Sequence, residues 1–144
     1  MNPKQESEAL LNSLLPVAEK MLCDYGEFYP YGGYMKPDGS IVQVGAADMD
    51  TERPTSKGLI SVLLDSFQDL ARRGECKAVA TVFDVTVALP NSDQKGDAIQ
   101  VCLEHSGGYS VEVFFPYSIA GSEVAYGETF AQEGRGGVFA SSRG

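Results

Sequence analysis

Residues 26–47, GEFYPYGGYMKPDGSIVQVGAA, constrain the fold more than any other stretch, because they are typical of a β-hairpin. In the turn at residues 36–39, proline presets its own φ and glycine takes a positive φ without steric cost. The aromatic run before the turn favours a strand, and alternating apolar residues after it favour a second one. Gly32 and Gly33 indicate either a β-bulge or a close approach of another part of the chain.

Two amphipathic segments flank this hairpin. Apolar residues recur at helical spacing over residues 6–25 and again from about residue 55 to 73, and a glycine follows each segment. Pro16 lies inside the first segment, where a proline removes a backbone hydrogen bond. The sequence therefore predicts a kink near Ser13, or two short helices that meet there.

Three further strands are predicted at residues 76–89, 98–105 and 109–115, where apolar residues alternate with others. The order of elements is then α-β-β-α-β-β-β, which predicts an α+β fold. In this fold a mainly antiparallel, five-stranded sheet packs both helices on one face. Residues 1–133 form a single domain, and the Gly- and Ser-rich residues 134–144 form a flexible tail.

The net charge of −9 over 144 residues limits the classes of partner. It argues against nucleic acids and anionic membranes, which bind through Lys and Arg, and it suits a basic protein partner. The alternative is that the charge only keeps the protein soluble. No apolar stretch approaches the roughly 20 residues that span a bilayer, and the N-terminus does not look like a signal peptide. Three widely spaced cysteines are typical of the reducing cytoplasm.

No metal site or cofactor is predicted. His105 is the single histidine, so a site that needs two histidines is excluded within one chain. Asp48, Asp50 and Glu52 have the alternation of a cation-binding loop, but the spacing of an EF-hand is not matched. They are interpreted as a solvated loop before the second helix.

Three acidic residues in the strands are candidates for a binding or acid–base role. Asp84 is a lone charge in a long apolar strand, and with Glu104 and Glu112 it could share one face of the sheet. The alternative is that this face meets solvent or a partner. A catalytic role for His105 is less favoured than a solvated position at a turn, so no catalytic residue is assigned.

Tyr29, Tyr31 and Tyr34 form the best candidate for a binding surface in the first strand. Tyrosine is enriched in binding hot spots, because it combines a large contact area with a hydroxyl group. The alternative is that these rings cover the edge of the core.

Two resemblances add to this reading. The order of elements resembles that of the profilin-like domains, which include the roadblock and GAF types, although none of their motifs is matched. The run GEFYPYGGYMKPDGSI, with a long strand and then YGETFA at residues 126–131, resembles a family of small uncharacterised bacterial proteins. That likeness covers most of the chain and implies a recurring fold, but it brings no activity.

Three functions follow from these patterns. The first is a non-enzymatic interaction module of a bacterial cytoplasm, such as an adaptor or an immunity-type partner of a basic toxin. The second is a sensor-like domain that binds a small molecule in a concave pocket between sheet and helix. An enzyme that uses Asp84 or His105 is the third. A homodimer through an exposed edge strand is compatible with all three.

Overall fold

The computed structural model describes residues 2–45, 56–88, 94–121, 123–134 and 138–139. The predicted loop with Asp48, Asp50 and Glu52 lies outside these residues. In the part of the chain that is described, two helices and seven strands follow one another: α1 (Pro3–Tyr25), β1 (Tyr31–Met35), β2 (Ile41–Gly45), α2 (Ser56–Arg72), β3 (Ala78–Ala88), β4 (Lys95–His105), β5 (Ser110–Ala120), β6 (Glu123–Tyr126) and β7 (Phe130–Glu133).

The strands form one antiparallel sheet in the order β2-β1-β3-β4-β5-β6, and β7 also pairs with β5. The α+β class and the antiparallel sheet are confirmed. The predicted number of five strands is wrong, because five strands rather than three follow α2. The predicted homodimer through an edge strand stays a prediction.

The two helices lie on opposite faces of the sheet, which corrects the prediction that both pack on one face. On one face α1 buries a stripe from Leu10 to Leu22 against Ala80, Val82 and Val101. On the other face Leu63 and Phe67 of α2 pack with Val79. The physical reason is the central strand β3, whose first five residues are buried on both faces and therefore need a cover on each side.

Helix α1 is continuous through Pro16. Of the two predicted alternatives, the division into two short helices is therefore wrong, and the kink near Ser13 stays a prediction. The helix begins with a capping box of Asn2 and Gln5, and Gly26 ends it with a φ of 77°. Close to the proline, side chains bind the helix carbonyls: the Tyr31 hydroxyl donates to the Leu14 oxygen at 2.6 Å. Burial of the apolar stripe and these contacts hold the helix together although the proline disfavours it.

Gly32 and Gly33 are close-approach glycines, since β1 keeps continuous register with both neighbouring strands and has no bulge. A Cβ on Gly32 would lie against the carbonyl oxygen of Ala80 and 3.1 Å from the Phe67 ring. A Cβ on Gly33 would lie 3.0 Å from Leu14, on the α1 side. Both helices therefore reach the sheet at this pair.

Strand β5 continues past Pro116, where the alternating pattern suggested that it ends. Residues 111–114 pair with β7 and residues 117–120 pair with β6, so the proline falls between the two partners. The missing N–H costs no ladder bond at such a junction, and the Pro116 oxygen accepts a hydrogen bond from the Gly127 N–H at 2.8 Å.

The C-terminal segment differs from the expected flexible tail at two residues. Val138 and Phe139 are each only 4% exposed and pack with the core beneath α2. The remaining tail residues beyond 134 lie outside the described part of the chain. Among the described helices, none combines the length and the apolar character that crossing a membrane requires.

Candidate functional site

A stripe of polar side chains crosses the sheet face that α2 covers. Alternation along β4 places Gln100, Cys102 and Glu104 on this face, while Ile99, Val101 and Leu103 face α1. In the register with β5, Cys102 lies opposite Glu112, and Glu104 lies opposite Ser110. Glu104 and Glu112 are therefore diagonal neighbours on adjacent strands, with Cα atoms about 7–8 Å apart.

A cavity of about 340 Å³ lies between this stripe and α2. Ile60 and Leu64 of α2 form its helical wall, and Val138 from the C-terminal segment also lines it. Its floor is the sheet, where apolar and polar side chains lie side by side: Val79, Thr81, Phe83, Gln100, Cys102, Glu104, Ser110 and Glu112. The volume is at the lower end of the range for small-molecule sites, about 300–1,000 Å³.

The two carboxyl groups in this cavity are buried, and in each of them one of the two oxygens accepts hydrogen bonds from described residues. Glu112 is 6% exposed, and its Oε1 accepts hydrogen bonds from the Nε2 atoms of Gln100 at 3.3 Å and Gln132 at 2.8 Å. Glu104 is 9% exposed, and its Oε2 accepts from the Val138 N–H at 2.8 Å. Within the described residues, no group donates to the second oxygen of either carboxyl.

The cavity also lacks a cationic side chain among the described residues that line it. Neither Glu104 nor Glu112 takes part in an ion pair with a described residue. A buried carboxylate that is not paired is costly, because burial removes its hydration. Among the described residues, the two carboxyl groups therefore have no counter-charge in this cavity.

Asp84 lies on the opposite face of the sheet, so the structure does not bring it together with Glu104 and Glu112. It lies on the α1 face of β3, where the Tyr117 hydroxyl donates to its Oδ1 at 2.7 Å. Burial raises the pKa of Asp84, with contributions from the nearby charges of Asp97 and Glu27, whereas the tyrosine hydrogen bond lowers it. Asp84 is a partnered, half-buried carboxyl group rather than part of the cavity.

His105 is buried rather than solvated, at 6% exposure. Its Nδ1 accepts from the Gly107 N–H at 2.9 Å, so Nε2 carries the proton and donates to Glu6 Oε1 at 2.9 Å. Lys77 also binds the Glu6 carboxylate. Hydrogen bonds from Lys77 and then from His105 lower the pKa of Glu6. This cluster ties the first turn of α1 to the end of β4.

The three candidate tyrosines have different environments. Tyr29 is 60% exposed, whereas Tyr31 is 7% exposed and holds the Leu14 carbonyl. Tyr34 is partly buried, with its ring edge-on to Phe67 at a centroid distance of 6.5 Å. Of these three tyrosines, only Tyr29 is thus available on the surface. Tyr25, which is not one of the three, is also exposed, at 77%.

The sequence does not indicate several residues of this site: Gln100, Cys102 and Val138, which line the cavity, and Gln132, which donates to Glu112. The signal that could have found the first two is the alternation of polar residues over 100–104, directly opposite Glu112 across a predicted turn. The described residues contain no group of three side chains placed to hold a metal ion. The resemblance to small bacterial proteins stays a prediction, as comparison with protein-family models, curated proteins and solved structures finds no match.

Proposed function

We propose that the protein is a binding module for a small molecule, and that the ligand occupies the cavity between α2 and the sheet. The observation that carries this proposal is the cavity itself, which combines an apolar helical wall with two buried, incompletely bonded carboxyl groups. Binding sites for small molecules have this composition, because apolar contacts supply affinity and a few polar groups orient the ligand.

The residues that surround the ligand in this proposal have distinct roles. Ile60 and Leu64 contact the apolar part of the ligand, and Glu104 and Glu112 orient its polar part. Gln100 and Gln132 hold the Glu112 carboxyl in place through their amide groups. Val138 lines the cavity while its N–H binds Glu104, so this residue of the C-terminal segment forms part of the site.

A bulky substitution on α2 tests the location of this site. Leu64→Trp is expected to abolish the binding of fragments detected by NMR with the unaltered protein, because the indole would fill the cavity beside Ile60. Val62→Trp is the matched control, since Val62 is also an exposed aliphatic residue of α2, at 42% against 37% for Leu64, but it does not line the cavity.

The two tryptophan variants are compared by the chemical shifts that each fragment changes. Fragments that bind the Val62→Trp variant and not the Leu64→Trp variant would support the proposal. Fragments that bind both variants with equal affinity, or no fragment that binds the unaltered protein, would contradict it.

A second candidate function, an interaction module for a basic protein partner in the cytoplasm, is supported by a different surface. Tyr25 and Tyr29 are the two most exposed of the large hydrophobic side chains in the described residues, at 77% and 60%. Asp24 and Glu27, also exposed, lie between or beside them in sequence. Exposed aromatic rings among acidic groups suit a basic surface, and the net charge of −9 would speed the encounter.

The double variant Tyr25→Ala/Tyr29→Ala tests this second candidate. A basic partner retained on immobilised protein at low salt is expected to bind the double variant about 30-fold more weakly, as loss of hot-spot aromatic groups predicts. Val62→Ala is the control, because Val62 is an exposed residue of α2, which packs on the sheet face opposite α1. Equal retention by both variants, or retention that salt does not weaken, would contradict the candidate.

A further inference from the structure

We propose that the ligand is an organic cation, an amine or guanidinium compound that carries an apolar group, and that Glu104 and Glu112 bind its charged end. This inference rests on the proposed function and names the chemical class that the cavity selects. The apolar end would lie against Ile60 and Leu64, and the charged end would lie against the sheet.

The first support is the state of the two carboxyl groups. Each carboxyl group belongs to a residue that is more than nine-tenths buried. One oxygen of each accepts hydrogen bonds from the protein, and the described residues provide no donor for the other oxygen. Two carboxyl groups that line one cavity offer acceptors to a ligand there, and an ammonium or guanidinium group brings three or five N–H donors with a positive charge. A ligand of this class therefore completes both hydrogen bonding and charge.

The second support is the arrangement of the carboxyl groups on the sheet. Glu104 and Glu112 lie diagonally across adjacent strands, with Cα atoms about 7–8 Å apart. A cationic group between them can contact both side chains at once. A hard divalent cation fits less well, because it takes about six to eight oxygen ligands and the described residues offer no cluster of three ligating groups.

The third support is the character of the remaining walls. The side chains that surround the carboxyl groups are apolar or uncharged, and none of the described lining residues is basic. An anionic ligand would meet two like charges, and a neutral ligand would leave an uncompensated buried charge. Sites that are built to pair a polar group reject analogues that lack it, so discrimination by charge is expected.

Three probes of nearly the same shape test the inference: phenethylamine as the cation, 2-phenylethanol as the neutral analogue and 3-phenylpropanoate as the anion. Binding to the full chain is measured by NMR titration or calorimetry near neutral pH. Phenethylamine is expected to bind at least about tenfold more tightly than the other two, as a charge-assisted hydrogen bond predicts. The comparison uses the unaltered protein, so it does not depend on whether a variant folds.

Two isosteric variants assign the selectivity to the carboxyl groups. Glu112→Gln and Glu104→Gln are each expected to weaken phenethylamine binding about tenfold or more and to leave 2-phenylethanol binding unchanged. Glu133→Gln is the control, because Glu133 is an exposed residue of β7 that does not line the cavity.

The outcomes separate this inference from the proposed function. Equal or tighter binding of the neutral or anionic probe at a site blocked by Leu64→Trp would overturn the cationic class and keep the binding module. The same holds if none of the three probes binds while other fragments bind at that site. If no ligand is sensitive to Leu64→Trp, the proposed function fails and this inference fails with it.

Discussion

Replacing Gly32 with alanine is expected to lower the free energy of unfolding by about 3 kcal/mol or more, as overpacking at a site without free space predicts. The added Cβ would meet the carbonyl oxygen of Ala80 in β3 and would lie 3.1 Å from the Phe67 ring. The oxygen belongs to a central strand that pairs on both sides, so it cannot move without disturbing the ladder with β4. Chemical denaturation of the two proteins measures the difference.

Gly45→Ala is the matched control for this substitution. Gly45 lies in the same hairpin and pairs with Tyr31, but a Cβ there meets no atom within 4 Å and its φ is not positive. This variant is expected to stay within about 0.5 kcal/mol of the unaltered protein or to gain slightly, because alanine reduces the entropy of the unfolded chain. An equal loss in both variants would show that glycine at 32 serves flexibility rather than close packing.

The fold could be predicted from the sequence where a pattern is local. The hairpin turn, α2 and the alternation of β3 to β5 each have a strong local period, and the α+β class follows from their order. Strands β6 and β7 were missed because each is only four residues long and their pairing depends on β5 continuing past Pro116. The prediction that both helices share one face fails because β3 is buried on both faces, so each face needs a helix to cover it.

The candidate site could be predicted only in part. Glu104 and Glu112 were singled out as carboxyl groups that share a face, and register places them as diagonal neighbours. The sequence also predicts Asp84 on this face, but Asp84 pairs with Ile99, which lies on the other face. That distinction depends on the pairing register between strands, which a single strand's alternation does not contain.

The part of the site that no local pattern indicates is the contribution of the C-terminal segment. Val138 lies in a Gly- and Ser-rich stretch whose composition is typical of a flexible tail. Its burial comes from tertiary contacts with Leu63 and Phe67 of α2, and its N–H binds the buried Glu104 carboxyl. Composition reports the average behaviour of a segment, whereas the burial of Val138 and Phe139 depends on contacts with residues far away in the sequence.

Phe67→Ala is the second substitution with a large expected effect, a loss of about 3–5 kcal/mol in the free energy of unfolding. The Phe67 side chain is fully buried and is the largest buried side chain that joins α2 to the sheet. It fills the space that Gly32 leaves and meets the Tyr34 ring edge-on. Its removal leaves a cavity that the close-packed backbone of β1 and β3 cannot collapse to fill, so the loss is expected near the upper end of that range.

Val62→Ala on the exposed side of the same helix is the control and is expected to change stability by less than about 0.5 kcal/mol. A similar small change in Phe67→Ala would contradict the role of this ring in docking α2.

The double variant Gly32→Ala/Phe67→Ala sharpens the test. Removing the ring relieves one of the two contacts at residue 32, but the Ala80 oxygen remains. Most of the loss in the free energy of unfolding caused by Gly32→Ala should therefore persist when Phe67 is absent, because the contact with the Ala80 oxygen causes most of that loss.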